Sequence, residues 1–592
     1  RRRSAATLIS YLTPPLVSAG LYRGLIDLKS SIDRWRGLAP DMSAERVRLA
    51  ETIKAQAVAL DLSPAEADWS HDGGAEVPGL AASVAELEAT LIPHGLHVVG
   101  EPMNAGERAD MLASVNSAFG DATLDSGLVD RIAAGEPVSN RLSGDKAQSA
   151  RTLEKLNIDL SVDHEVSAML HALDGGYIRP VSGGDIIRTP SIVPTGRNLH
   201  GFDPFRLPSA HAVAEGSRQA VMLLDRYQRD HGSVPKSIAL VMWGTDTLKT
   251  EGAPIGQALA LIGAKPRFDG FGRLAGAELM TLEELGRPRI DVVITLSGIF
   301  RDLLPLQTKL LAQACLMAAQ ADEPLEMNHI RANALAWAAQ HDCDFETAAL
   351  RVFSNASGAY GSNVNLLVDS GAWEEEDELA ETYTRRKCFA YGVDGKPVRQ
   401  EELLRGILGK VETAFQNIES VELGITSIDH YFDTLGGISR AVREAGGGDM
   451  PVYVGDQNAG RGKVRTLSEQ VALETRTRML NPKWYEGLLQ HGYEGVRQIE
   501  SHVTNTLGWS ATTGQVEPWV YKNLTETFVL DETMLRRLSD LNPKASSKLA
   551  NRLIEAVERK YWNADEETLR ALRDAGEELE DRVEGIKVEA AA

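Results

Sequence analysis

The stretch Ile238–Gly263, IALVMWGTDTLKTEGAPIGQALALIG, decides the fold. Six apolar residues, Ile238–Trp243, run without polar alternation and stop at Gly244. Such a run suits a strand buried on both faces, as in a parallel sheet. Asp246, Lys249 and Glu251 follow within eight residues, and an apolar helical pattern, Ile255–Gly263, then ends on its glycine. Ligands of parallel sheets sit beyond the carboxyl ends of the strands. The three ionisable groups therefore fall where chemistry is expected.

Two further runs repeat the pattern. DVVITL (Asp291–Leu296) leads into SGIFRD, and PVYV (Pro451–Val454) leads into GDQNAGRGK. Three buried strands, each ending in a small residue and polar groups, predict a doubly wound parallel sheet with one functional edge. Helices are expected at Ala210–Arg229, Leu303–Gln320 and Ile330–Gln340, and over most of 375–445 and 465–592. The expected architecture is multidomain α/β with extensive helical regions. It divides into a mainly helical segment 1–90, a mixed α/β segment 91–208, an α/β domain 209–370, and a mainly helical region 371–592 holding the strand near 451–454. Within the first two segments, Ser63–Pro64 reads as a helix start, Ala81–Leu91 as a short helix and Leu96–Val99 as a strand.

Composition narrows the function. A chain of 592 residues exceeds one hydrophobic core. The net charge of −22 argues against a nucleic-acid surface or an anionic membrane, and favours a basic partner or a hydrated cation. No run of about eighteen apolar residues occurs, so no spanning helix is expected. The first residues, RRRSAATLISYLTPPL, lack a cleavage pattern and are broken by Pro14 and Pro15, so no signal peptide is expected. The chain opens without Met and reads as beginning mid-protein. Cys315, Cys343 and Cys388 have no ligand spacing, and Cys315 reads as a small core residue. A cytoplasmic protein is the expectation.

Common enzyme motifs fail. GFGRLAG (270–276) contains GxGxxA but follows no convincing strand. AGRGKVR (459–465) lacks the first Gly of a phosphate loop and has Val464 where Ser or Thr is needed. His164–Glu165 has no second His at the zincin spacing, and GxSxG is absent. What remains is the Gly/Pro/Arg-rich loop 175–208, with Arg179, Arg188, Arg197 and Arg206 spread along it. Its glycines allow close backbone approach, and its arginines suit carboxylates. An ordinary wrapping loop tied by surface arginines is the competing explanation. A structureless stretch this long is usually functional.

Five ordered blocks carry a resemblance. PTGRNLHGFDPFRLPS (194–209) resembles a PTGRN-x5-DP signature, and SGIFRDLLPLQ (297–307) resembles SGxFRDxFxxQ. RVFSNASGAYGSNVN (351–365), NPKWYEGLLQHGYEG (481–495) and LGWSATTGQVEPW (507–519) resemble three more shared blocks. Together they resemble the large subunits of magnesium chelatase and, more distantly, cobaltochelatase. MWGTDTLKTEG (242–252) looks like the magnesium type of bacteriochlorophyll-making bacteria. Ala356 and Ser357 depart from the family, which often has a Pro there.

The resemblance implies a C-terminal half of a porphyrin-binding subunit that inserts Mg²⁺ into protoporphyrin IX. It implies two AAA+ type partners that hydrolyse ATP, and a downstream methyltransferase. The family's HGxxEWxPGK block is missing from this chain. A cobaltochelatase acting on a corrin precursor and a non-catalytic porphyrin carrier or sensor are the alternatives.

Mg²⁺ is hard and slow to shed water, and two pyrrole N–H groups must lose protons. Asp246, Glu251, Asp302, Asp433, His200 and His430 are the candidate acids and bases. Arg188, Arg197, Lys249, Arg301 and His491 are the candidates for holding the porphyrin and its propionates. The metal ligands are not assigned. Each residue has a structural alternative: Asp246 as a helix cap, His430 and His491 as core histidines, Arg301 and Asp302 as a mutual pair.

Overall fold

The β-branched and aliphatic runs of the sequence form one central sheet. The computed structural model describes residues 7–39, 42–181, 183–199, 203–458 and 462–586. Its sheet strands, numbered in chain order, are β1 Ser237–Met242, β2 Asp291–Leu296, β3 Val352–Ser354, β4 Phe389–Tyr391, β5 Pro397–Arg399, β6 Thr413–Ile418, β7 Val452–Asp456 and β8 Lys463–Thr466. They lie in the order β5-β4-β3-β2-β1-β6-β7-β8. The stretch β3-β2-β1-β6-β7 is parallel throughout. Antiparallel strands close both edges. The chain winds outward from β1 through β2 to β3 on one side and through β6 to β7 on the other. The order therefore reverses between β1 and β6, which is a topological switch point.

Alternate side chains of each strand enter different cores. Ala239, Val241, Val293, Ala414 and Val452 face one core, shared with the helices Glu376–Lys387, Glu401–Leu408, Gly437–Val442 and Tyr493–Thr513. Ile238, Leu240, Met242, Val292, Ile294 and Tyr453 face the other, shared with the helices Ala210–His231, Ala253–Ile262 and Pro305–Gln320. The helices Ala210–His231 and Ala253–Ile262 touch backbone to backbone. A Cβ on Gly216 would lie 2.3 Å from the Ala253 carbonyl oxygen, so only glycine fits there.

The N-terminal third adds two smaller helical cores. One holds Leu28, Ile32 and Val84; the other holds Met111, Leu112, Leu153 and Val193. A two-stranded ribbon, Leu16–Ser18 with Leu91–Pro93, runs between them.

Several expectations need adjustment. The ribbon strand is Leu91–Pro93, and residues 94–99 are irregular. No helix starts at Ser63–Pro64; the helix there is Val77–Ala89. Region 371–445 contains β4, β5 and β6 among its helices. Strand β6 (TAFQNI) escaped because Gln416 and Asn417 interrupt its apolar run. Both are buried and find partners across the fold: Gln416 Oε1 accepts from Trp243 Nε1 at 3.0 Å, and Asn417 donates to Gln257 Oε1 at 2.8 Å. GFGRLAG lies at the turn and second strand of the hairpin Ala264–Phe268/Leu274–Leu279. Among the described residues no helix is long and apolar enough to cross a membrane.

Candidate functional site

A crevice of about 950 Å³ opens beyond the carboxyl ends of β1, β6 and β7, at the switch point. That volume lies at the upper end of the range of small-molecule sites, roughly 300–1,000 Å³. Its walls come from distant parts of the chain: Leu91 and Phe119, Ile187 and Arg188 of the Gly/Pro/Arg loop, Lys249 and Glu251 after β1, Ile418 at the end of β6 and Val421 after it, and Gln457 after β7. Apolar side chains give it a slot, and arginines and carboxylates line its rim.

Two carboxyls lie just behind this wall. Asp246 stands in the short helix Gly244–Lys249 that follows β1 and is buried. It caps nothing: the N-cap position is Trp243, which makes no side-chain cap bond. Its Oδ2 finds no hydrogen-bond partner among the described residues. Burial pushes its carboxyl up, opposed by the Lys249 and Arg188 charges. Glu419 directly follows β6 and is fully buried. Its Oε2 accepts from Arg188 Nη1 at 2.7 Å, while Oε1 has no partner among the described residues. Burial, with the nearby Asp246 charge, raises it to about 7 against the pull of Arg188. Arg188 also donates to the Gln457 carbonyl oxygen. Burial raises Glu422, which Lys249 and Arg478 partly offset. The Tyr431 ring, 5.3 Å from that of Trp243, is held protonated by burial and by the Asp246, Glu474 and Glu419 charges.

Lys249 forms no hydrogen bond or ion pair among the described residues, so its ammonium is available at the crevice wall. Glu251 is exposed at the rim with a left-handed φ of 52°, and its carbonyl accepts from the Ser209 amide at 3.0 Å. Glu474 is buried and spent: it accepts from the Ile425 and Thr426 amides, the Thr426 hydroxyl and Gln470.

A second polar group follows β2 and β3 on the same edge of the sheet. Arg301 pairs with Asp302 at 3.0 Å and donates to the carbonyls of Asn355, Ala356 and Ala359. This pair pins the loop 355–363. Asp433 is buried and accepts from the amides of Ser362 and Asn365 at 2.7 and 3.1 Å. Lys387, fully buried, donates to Asn355 Oδ1 at 3.0 Å, and burial lowers it to about 8. His430 is not a core histidine. More than half of its side chain is exposed, and the 2.8 Å contact of Nδ1 with Asp429 raises its pKa.

The sequence candidates thus separate. Asp246, Lys249, Glu251 and Arg188 meet at the crevice. Arg301, Asp302, Asp433 and His430 gather beside it. Arg197 lies apart, its guanidinium donating to the carbonyls of Pro194, Ser191 and Ile192 within its own loop. His491 accepts from the Leu96 amide at 2.9 Å and ties the N-terminal third to the helical region. His200 lies outside the described residues. Glu419, Glu422 and Lys387 were missed. Glu419 would have been found by recognising β6, since it is the first residue after its strand, as Ser297 is after β2. Among the described residues no three His, Cys, Asp or Glu side chains converge as a metal cage.

An open α/β sheet thus carries an acid-backed, arginine-rimmed crevice at its switch point, the place where sheets of this class hold small molecules. The family model described as CobN/Magnesium Chelatase matches residues 1–157 and 122–569, and the chain belongs to that family. It is 55% identical over 593 residues to a magnesium-chelatase subunit of Rhodobacter capsulatus, covering 100% of this chain and 46% of that protein. It is 54% identical to the corresponding magnesium-chelatase subunit of Cereibacter sphaeroides, again over 100% of this chain and 46% of the relative. The solved catalytic subunit of cobaltochelatase from Mycobacterium tuberculosis superposes with a TM-score of 0.91 at 30% identity, over 98% of this chain and 53% of that one. The chain spans about half the length of the curated relatives it matches.

Proposed function

We propose that this chain is the porphyrin-binding, catalytic segment of a magnesium chelatase large subunit, inserting Mg²⁺ into protoporphyrin IX for bacteriochlorophyll synthesis. The observation that carries the reading is the pair Asp246 and Glu419, two buried carboxyls with one unpartnered oxygen each behind a porphyrin-sized crevice. Insertion releases two pyrrole protons for each Mg²⁺ that binds the ring nitrogens. The two carboxylates take one proton each. A carboxyl raised towards neutrality is a better proton acceptor than a surface carboxylate and still ionises at the working pH.

Arg188 has a second part in this scheme. It covers Glu419 and reaches the crevice wall. A porphyrin propionate is a carboxylate like that of Glu419 and competes for the same guanidinium. Exchange of partners releases Glu419 for the pyrrole proton. Lys249 takes the other propionate, and Leu91, Phe119, Ile187 and Val421 flank the ring. Mg²⁺ is a substrate here and arrives hydrated. Two AAA+ type subunits supply ATP hydrolysis, a methyltransferase takes the product, and the assembly works in the cytoplasm.

Identity favours the magnesium reading over the cobalt one, at 55% against 30%. Titration of the chain with protoporphyrin IX, read by tryptophan quenching, tests the site. Saturable quenching weakened at least tenfold in Lys249→Glu is expected. Equal affinity in both proteins would remove the crevice as the porphyrin site.

A further inference from the structure

The helix Glu165–Leu173 (EVSAMLHAL) is inside out. Its only buried residue is its acid, Glu165. Val166, Leu170 and Leu173 recur at i, i+4 and i+7 and so share one face, and all three are exposed. Leu170 is 60% exposed and Leu173 84%. Exposed apolar residues continue on either side, with Ile158 and Val162 before the helix and Tyr177 after it. The loop carrying Val98 and Val99 joins them. A Cβ on Gly100 would lie 3.0 Å from Val166 Cγ2, so that loop lies against the helix.

The helix is nevertheless held firmly. Glu165 Oε1 accepts from the Leu12 amide at 2.7 Å and from the Thr195 hydroxyl at 2.8 Å, while Oε2 meets His97 Nε2 at 2.6 Å. Gly196 packs on the His164 carbonyl so closely that a Cβ would lie 2.2 Å from it. A rigid helix with a dry face turned to solvent costs stability unless something covers it, and contiguous patches of this kind mark interaction sites.

The geometry points to this face as the seat of the part of a family large subunit that lies outside the 46% matched here, docking through an apolar surface of its own. Three observations select that occupant. The relatives carry about as much polypeptide again as this chain provides. The N-terminal residues Ser10 and Leu12 are hydrogen-bonded to Arg197 and Glu165, directly beneath the helix. The face is apolar, in a chain whose net charge of −22 disfavours self-association of the remaining surface. The inference rests on family membership and is independent of which metal is inserted.

The test joins this chain to a separately produced partner, the portion of the Rhodobacter capsulatus relative outside the matched segment. Purified components are mixed and measured by sedimentation and by calorimetry. One-to-one association is expected, weakened at least thirtyfold by Leu170→Glu with Leu173→Glu. Those side chains face solvent, so the circular dichroism and Tm of the variant stay those of the wild type. Association unchanged by the substitutions, or no association, overturns the inference. So does a self-dimer of the chain that the substitutions dissolve, because it makes a second copy the occupant. A second measurement does not depend on the isolated partner folding. Leu173→Cys in a Cys343→Ser background is labelled by maleimide in this chain, and the aligned position is labelled in the full-length relative. Labelling at least tenfold slower in the full-length protein is expected, and equal rates contradict the proposal.

Discussion

Arg188 Nη1 stands 2.7 Å from Glu419 Oε2, so a single ion pair ties the Gly/Pro/Arg loop to the end of the central strand β6. The guanidinium is about one-third exposed and the carboxylate fully buried. A residue of the crevice wall is thereby paired with a carboxylate that lies behind it.

The first prediction concerns pH. Glu419 is raised to about 7 in the folded chain, against 4.5 when unfolded. The folded state therefore holds the extra proton, and this group's contribution to stability falls as pH rises from about 4.5 to 7. The full penalty is roughly 3 kcal/mol above pH 7. Glu419→Gln removes it, so denaturation midpoints of the variant relative to wild type rise between pH 5 and pH 8. A constant difference across that range contradicts the assignment.

His502 acts in the opposite direction. Buried against Trp484 and hydrogen-bonded to Thr426, it is pushed down to about 3. Its neutral form is the folded one, so stability is lost as pH falls below 6.5, by up to roughly 5 kcal/mol near pH 3. Chemical denaturation of His502→Gln against wild type from pH 7 to pH 4 shows a shallower acid loss in the variant.

Arg351 and Asp291 form a fully buried ion pair at 2.7 Å between the starts of β3 and β2. Among the described residues, Arg351→Met leaves Asp291 with only Asn333 as a side-chain partner. Losing one member of such a pair costs about 3–5 kcal/mol. The double variant Arg351→Met, Asp291→Asn costs less than the single one. Urea melts of the three variants measure the difference.

Packing gives a further test. Gly216 lies where a Cβ would meet the Ala253 carbonyl and the Gln257 amide at 2.3 Å. Gly216→Val forces the two helices apart beside the crevice and lowers stability by at least ~2 kcal/mol. The same change at Gly270, where a Cβ meets nothing within 4 Å, is nearly neutral. Thermal melts of the pair distinguish close approach from general intolerance.

The sheet was legible where its strands were mostly apolar. Ile238–Trp243, Asp291–Leu296 and Pro451–Val454 each announced a strand, and the polar residues after them lie along the edge of the sheet where the crevice opens. Strand β6 was not legible, because Gln416 and Asn417 are buried polar residues that bond to Trp243 and Gln257, partners that only the fold brings near. Missing β6 hid Glu419 and therefore half of the carboxyl pair. The arginines of the loop were legible as a group but not individually. Arg188 reaches the crevice, and Arg197, nine residues later, is consumed by its own loop's carbonyls. Spacing along a loop without periodicity gives no direction to a side chain.

The central claim is that Asp246 and Glu419 accept the pyrrole protons. The most direct measurement is single-turnover Mg²⁺ insertion by the full-length protein with its ATPase partners, for wild type, Asp246→Asn and Glu419→Gln, from pH 6 to pH 9. The expected wild-type rate rises through about pH 7, the pH at which Glu419 ionises. Each variant is expected to lose at least a hundredfold in rate with porphyrin affinity retained, and Glu419→Gln to show no such rise. Wild-type insertion with an unchanged pH profile in either variant would contradict the claim.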